Sequence, residues 1–187
     1  ILVETVLEKL KEISSPVNLL DMCTGSGCIL LSILYYMKNK KQITGTGVDV
    51  SDKALEVARE NAKSLDLSVD FLQSDLFDKI TDKYSMIVSN PPYIRSDVIK
   101  TLQEEVREHD PMLALDGMED GLYFYRKIIS ESEKYLQADG YLIFEIGHVQ
   151  GLDVSNMMKD AGFRDVLIKK DLAGLDRVVL GVYDTKR

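Results

Sequence analysis

Apolar residues in this chain switch repeatedly between two spacings. In "ILVETVLEKLKEI" they fall at Val3, Val6, Leu7, Leu10 and Ile13, steps of three and four that predict an amphipathic leading helix over residues 1–15, stopped by "SSP". Short apolar runs then alternate with helical patterns. "VNLLDMC", "ITGTGVDV", "VDFLQSD" and "YSMIVSN" read as four strands, with "CILLSILYYMK" and "SDKALEVARENAKSL" as helices between the first three. In the second of these helices Ala54, Leu55, Val57, Ala58, Ala62 and Leu65 share a face; Ser51 is placed to cap it, and Asp52 suits its positive N-terminal dipole. After a long polar stretch "DGLYFYRKIISESEKYL" predicts a helix ended by "ADG", "YLIFEIG" a fifth strand, and "VSNMMKDAGF" a short helix. "VLIKKD" and "RVVLGVYD" predict a hairpin at the sheet's edge. The expectation is an α/β fold: one domain over residues 1–187, with a mostly parallel seven-stranded sheet and an antiparallel C-terminal hairpin. Ligands of such sheets bind beyond the carboxyl ends of the strands, near the switch in strand order.

Composition narrows the partners. With 45% apolar residues the chain can bury a sizeable core, and a formal charge of −8 leaves it without the cationic excess that nucleic-acid binding draws on. No run approaches the roughly 20 apolar residues of a membrane span, so no membrane partner is expected. The two cysteines, Cys23 and Cys28, match neither a zinc-ligand spacing nor a disulfide framework, which suggests a reducing compartment. Glu108, His109 and Asp110 read as a polar loop in preference to a metal site, because the chain has only two histidines. The first residue is Ile1 inside a helical pattern, so a segment upstream is expected to be missing.

The chemistry gathers at predicted strand ends. "DMCTGSGC", residues 21–28, joins the first strand to the first βα helix through Gly25 and Gly27, which lets backbone approach a ligand and leaves amides at a helix N-terminus. Asp49 ends the second strand 22 residues beyond Gly27, where a carboxylate can accept both hydroxyls of a ribose. Asp75, in "QSDLF", adds a third polar position on the rim; an ordinary turn aspartate is the plainer reading. A nicotinamide dinucleotide and S-adenosylmethionine both place a ribose here. The third glycine of the dinucleotide fingerprint is replaced by Leu30, and Asp21 puts a carboxylate near the loop, which suits ammonium and sulfonium charge and opposes a pyrophosphate. Charge therefore favours S-adenosylmethionine.

"SNPPYI", residues 89–94, ends the fourth strand. Pro91 holds Asn90 in extended backbone, and neither Pro91 nor Pro92 has an N–H, so the segment presents acceptors without competing donors. A planar NH2 can give its two hydrogens to the Asn90 side-chain oxygen and the Pro91 carbonyl, with Tyr93 stacked on its plane. Glu145, inside an apolar strand, is either a hydrogen-bonded buried carboxylate or a wall of the site. Tyr35, Tyr36, Tyr123, Phe124 and Tyr125 read as helix packing.

"DMCTGSGC", "GVDVS", "SDLF" and "SNPPYI" resemble class I S-adenosylmethionine-dependent methyltransferases (Rossmann-like) that act on amino groups, N-P-P-Y being a specific signature there. "EHDPMLALDGMEDGLYFYRKI", "FEIGHVQG" and "KDLAGLDRVVLG" are similar to stretches of the HemK/PrmC family, protein-(glutamine-N5) methyltransferases acting on peptide chain release factors. The resemblance covers essentially the whole chain. It implies S-adenosylmethionine as cofactor, S-adenosylhomocysteine as product and no metal. The implied substrate is the glutamine of the Gly-Gly-Gln loop in class 1 release factors, and the implied setting is a monomer in the cytoplasm, bacterial in the first instance. It also implies a small upstream helical docking domain, which is expected to be the segment missing before Ile1. Carried over, Cys23, Thr24, Gly25, Ser26 and Gly27 form the cofactor loop, Asp49 takes the ribose, Asp75 and Leu76 flank adenine, and Asn90, Pro91, Pro92 and Tyr93 hold the glutamine amide. Cys23 stands where the family usually has glycine, and Asp110 where glutamate is common. The alternatives are an N6-adenine or N2-guanine nucleic-acid methyltransferase, whose flipped base offers the same NH2, and a non-catalytic cofactor-binding module.

Overall fold

The computed structural model describes residues 1–14, 16–101 and 112–184; the Glu108, His109 and Asp110 stretch lies outside them. The helix α1 (Leu2–Leu10) leads into β1 (Val17–Met22), α2 (Cys28–Met37), β2 (Ile43–Asp49), α3 (Asp52–Ser64), β3 (Asp70–Gln73) and β4 (Tyr84–Ser89). Two short helices, α4 (Ser96–Ile99) and α5 (Met112–Leu115), precede α6 (Tyr123–Ser132), β5 (Leu136–Glu145), α7 (Gly151–Asp160), β6 (Phe163–Lys170) and β7 (Asp176–Tyr183). The seven strands form one sheet in the order β3-β2-β1-β4-β5-β7-β6. The first five in that row run parallel, and β7 pairs antiparallel with both β5 and β6.

Strand periodicity divides the core between the two faces of the sheet. Leu20 and Met22 of β1 and Ile87 of β4 join Tyr125, Ile128, Leu142 and Phe144 on one side. Leu19 and the flanking Met86 and Val88 join Leu2, Val6, Leu10, Leu30 and Ile33 on the other. Burial on both faces explains why β4 reads as an unbroken apolar run, with all six of its residues buried. The α3 cap forms as its sequence suggests, Ser51 Oγ accepting from Ala54 N at 3.3 Å. Leu55, Ala58 and Ala62 are buried, whereas Val57 and Leu65 turn outward, so the buried face is narrower than the pattern implies.

Helix α6 stops earlier than its pattern predicts. Tyr135 stacks on Phe77 at 4.6 Å between centroids, its carbonyl accepts from Tyr84 N at 2.7 Å, and Leu136 already pairs with Tyr84 as the start of β5. "ADG" then bends the strand and does not cap the helix: Asp139 takes φ 59, and the β4–β5 register shifts between Tyr84 and Met86. Tyr35 and Tyr36 are also misread as packing. Both are exposed at the end of α2 and meet each other edge to face at 6.2 Å.

The order of strands reverses between β1 and β4, and Met22 lies in register with Ser89 across that seam. Ser89 Oγ, fully buried, donates to Met22 O at 2.7 Å. The two segments that carry the sequence motifs therefore leave the sheet from adjacent positions, about 5 Å apart by strand spacing.

Candidate active site

A cavity of about 430 Å³ opens over this seam. The β1 end contributes Met22, Cys23 and Gly25; the β2 end contributes Asp49, Val50 and Ser51. Asp75, Leu76, Phe77 and Asp78 line it after β3, and Asn90 and Pro92 after β4. The structure thus collects Cys23, Gly25, Asp49, Asp75, Leu76, Asn90 and Pro92, expected from sequence to share a site, around one space.

The loop after β1 is built for backbone approach. Gly25 has φ 56, and a Cβ placed there would meet nothing within 4 Å, which leaves room for a ligand against the main chain. Asp49 holds the loop in place, Oδ2 accepting from Gly25 N at 2.9 Å and Oδ1 from Ser51 N at 2.9 Å. Each carboxylate oxygen keeps a second lone pair for an incoming hydroxyl. Cys23, at φ 60, sits in a left-handed conformation that glycine adopts freely and that strains other residues by roughly 1–2 kcal/mol. Burial, with Asp49 and Asp21 nearby, pushes its thiol well above the usual range, so it stays protonated.

Other expected residues lie off the wall. Asp21 is fully buried beneath the loop, Oδ2 accepting from Thr24 Oγ1 at 2.7 Å, and Thr24 is itself buried by that contact. Burial lifts the Asp21 carboxyl to about 7 against the opposing Thr24 hydrogen bond. Ser26 is exposed, its carbonyl accepting from Asn61 Nδ2 at 3.0 Å, and Gly27 starts α2 at φ 78. Pro91 is buried outside the lining. Tyr93 does not line the cavity either: it lies half-buried beyond Pro92, its hydroxyl pushed up by burial and then by Glu145. Glu145 is half-buried away from the cavity wall. Burial raises its carboxyl and the Arg177 guanidinium opposes that, while its main-chain carbonyl accepts from Tyr125 at 3.0 Å.

Two buried side-chain oxygens among the described residues have no hydrogen-bond partner: Asp21 Oδ1 and Asn90 Oδ1. An unmet buried acceptor costs roughly 1–3 kcal/mol, and both lie in the segments that frame the cavity.

Sequence reasoning missed part of the wall. Tyr123 and Phe124 line the cavity, as do Lys127 and Glu131 about one and two turns further along α6; only Tyr125 of the aromatic triplet packs in the core. The signal was present, since three successive helical residues spread over about 200° and cannot all face inward. Leu113, Ala114 and Met118 complete this side.

The strand order, the glycine loop after β1 and the acidic β2 end define a class I S-adenosylmethionine-dependent methyltransferase fold. Residues 2–118 match the family profile of the methyltransferase small domain, and the chain belongs to that family. Among curated relatives it is 45% identical over 183 residues to the release factor glutamine methyltransferase of Thermodesulfovibrio yellowstonii, covering 96% of this chain and 64% of the relative. It is 44% identical over 184 residues to that of Agrobacterium fabrum, with 96% and 63% covered. The chain thus spans less than two thirds of the length of these relatives. Among solved structures, ribosomal protein L11 methylase from Lactobacillus delbrueckii subsp. bulgaricus superposes with TM-score 0.67 at 18% identity over 98% of this chain and 77% of that one. The Thermus thermophilus 16S rRNA N2 G1207 methyltransferase, in complex with AdoMet and guanosine, gives TM-score 0.67 at 16% identity over 97% and 41%.

Proposed function

We propose that this chain is the catalytic domain of an enzyme that moves a methyl group from S-adenosylmethionine to the side-chain amide nitrogen of the glutamine in the Gly-Gly-Gln motif of class 1 peptide chain release factors. The observation that carries this reading is Asn90 Oδ1, a buried acceptor without a partner at the end of β4, beside a cavity that Asp49, Cys23 and Gly25 also line. The release-factor specificity is taken from the relatives' names.

The cavity residues fit S-adenosylmethionine. Gly25 leaves open space at the main chain, Asp49 has lone pairs for ribose hydroxyls, Asp75 and Leu76 border the next stretch of wall, and the unpartnered Oδ1 of Asp21 lies beneath the loop. When bound, this cofactor would supply a methyl group on a sulfonium, with the neutral thioether S-adenosylhomocysteine as a good leaving group.

A glutamine nitrogen is a poor nucleophile because its lone pair is delocalised into the carbonyl. Asn90 Oδ1 and the Pro91 carbonyl accept its two hydrogens, which draws electron density onto nitrogen and fixes its direction. Pro91 and Pro92 add no competing donor. Positioning of this kind supplies part of the roughly 7–11 kcal/mol that orientation can remove from a barrier. An N-methylated amide that still carries both hydrogens is a strong acid and gives its surplus proton to solvent water, so no strong base is required.

Incubation with radiolabelled cofactor and either a class 1 release factor or a mixture of DNA and RNA tests the reading. Label on the protein and none on nucleic acid is expected. Label on nucleic acid alone would replace this reading with a base-methylating one.

A further inference from the structure

Gln150 is not among the residues that line the cavity. It is only 7% exposed, directly before α7, and its amide spans three separate segments. Nε2 donates to Tyr93 O at 3.1 Å and to Gly121 O at 3.0 Å, and Oε1 accepts from Gly147 N at 2.9 Å. One side chain thus joins the motif after β4, the loop before α6 and the turn after β5.

The surroundings are shaped for that bridge. A Cβ on Gly117 would lie 2.8 Å from Tyr93 Cα, and one on Gly121, at φ 73, would lie 2.5 Å from Tyr93 O. Main chain therefore packs on main chain, close enough for a single amide to reach both carbonyls. The next residues are tied in the same direction: Ile94 N donates to Leu115 O at 3.0 Å, Gly117 N to Ile94 O at 2.8 Å, and Ser96 Oγ to Asp116 Oδ1 at 2.7 Å.

Between these ties and the sheet lies a stiff segment. Ser89 is anchored in β4 by its hydrogen bond to Met22 and its pairing with Phe144, and Pro91 and Pro92 have φ fixed by their rings. With Tyr93 O clamped at the far end, few torsions remain to move Asn90. The clamp also occupies the Tyr93 carbonyl, while Asn90 Oδ1 keeps no protein partner.

We propose that Gln150 is a positioning residue: by locking the Tyr93 carbonyl against Gly121 and Gly147, it holds the Asn90 oxygen in the orientation that receives the substrate NH2. The catalytic part of this inference rests on the glutamine-methylating function proposed above.

The test compares Gln150→Met, which keeps the volume and removes all three hydrogen bonds, with Gln150→Glu, which keeps the Gly147 contact and loses both donors. Expected for both are a kcat for glutamine methylation at least about tenfold lower, with cofactor affinity within about twofold of wild type. Amide exchange should be faster at Ile94 and Gly117 and unchanged in β1 and β2. Should Gln150→Met lose its fold, Gln150→Glu carries the comparison. An unchanged kcat in a folded variant, or unchanged exchange at Ile94 and Gly117, would overturn the proposal. So would loosening of all segments together with loss of cofactor binding. If wild type methylates no glutamine, the functional reading fails by itself, and the exchange pattern still decides whether Gln150 holds the Asn90–Tyr93 segment.

Discussion

Replacing Asp21 with asparagine should stabilise the empty protein in a pH-dependent way while weakening cofactor binding. Asp21 is fully buried, and burial lifts its carboxyl from an ordinary 3.8 to about 7. The folded state therefore holds this proton more tightly than the unfolded chain. Its contribution is fully present below about pH 4, declines as pH rises through about 7, and is constant beyond. At about 1.4 kcal/mol for each pH unit between the two values, the penalty in wild type reaches of order 4 kcal/mol above pH 7. Asparagine is nearly isosteric, carries no charge, and keeps an oxygen for Thr24 Oγ1, which donates to Asp21 at 2.7 Å. The difference in unfolding free energy between Asp21→Asn and wild type should then be near zero at pH 4, grow through pH 6 and level off near pH 8. Titrating groups that do not interact with Asp21 are common to both proteins and cancel. Urea denaturation at several pH values, with equal slopes in the two proteins, reads the difference directly. Calorimetry at pH 8 should show weaker S-adenosylmethionine binding by the same variant, because the negative charge under the loop is gone. A stability difference that does not vary with pH, or a variant less stable at every pH, would refute the reasoning.

The left-handed glycines offer a contrast. Gly174→Ala, at φ 79 with open space around it, should cost about 1 kcal/mol, whereas Gly121→Ala, whose Cβ would lie 2.5 Å from Tyr93 O, should cost at least about 3 kcal/mol and lower methyl transfer; thermal and chemical denaturation check both. Phe144→Ala should cost about 3–5 kcal/mol, since the ring is fully buried and meets Tyr125 edge to face at 5.3 Å, and the denaturation midpoint reports it. Iodoacetamide at pH 8 should label exposed Cys28 well before Cys23, whose thiol burial keeps protonated; mass mapping of the two peptides checks the order.

The parts of this molecule legible in its sequence are those set by periodicity and by residues that need no distant partner. Alternating strand and helix patterns predicted the seven-stranded sheet and its edge hairpin, because apolar spacing follows directly from which faces are buried. The ends of β1, β2, β3 and β4 were legible because glycine, acid and proline mark where strands stop, and the structure gathers Cys23, Gly25, Asp49, Asp75 and Asn90 at one cavity. The start of β5 was hidden, since Tyr135 and Leu136 fit a helical stripe equally well and only contact with Phe77 and Tyr84 draws them into the sheet. The α6 wall was hidden for a similar reason: Tyr123 and Phe124 look like core until Tyr125 takes the inward position. Gln150 carries little local signal: only Gly147 N is near it in the chain, and its meaning lies in the Tyr93 and Gly121 carbonyls, which are far away.

The most direct test of the central claim is mass spectrometry of a class 1 release factor after incubation with this chain and S-adenosylmethionine, alongside Asn90→Ala. The account predicts one added methyl, placed by fragmentation on the side-chain nitrogen of the Gly-Gly-Gln glutamine. It also predicts formation at least about tenfold slower in Asn90→Ala, with cofactor affinity retained. A methyl on any other residue, or an Asn90→Ala variant as fast as wild type, would contradict it.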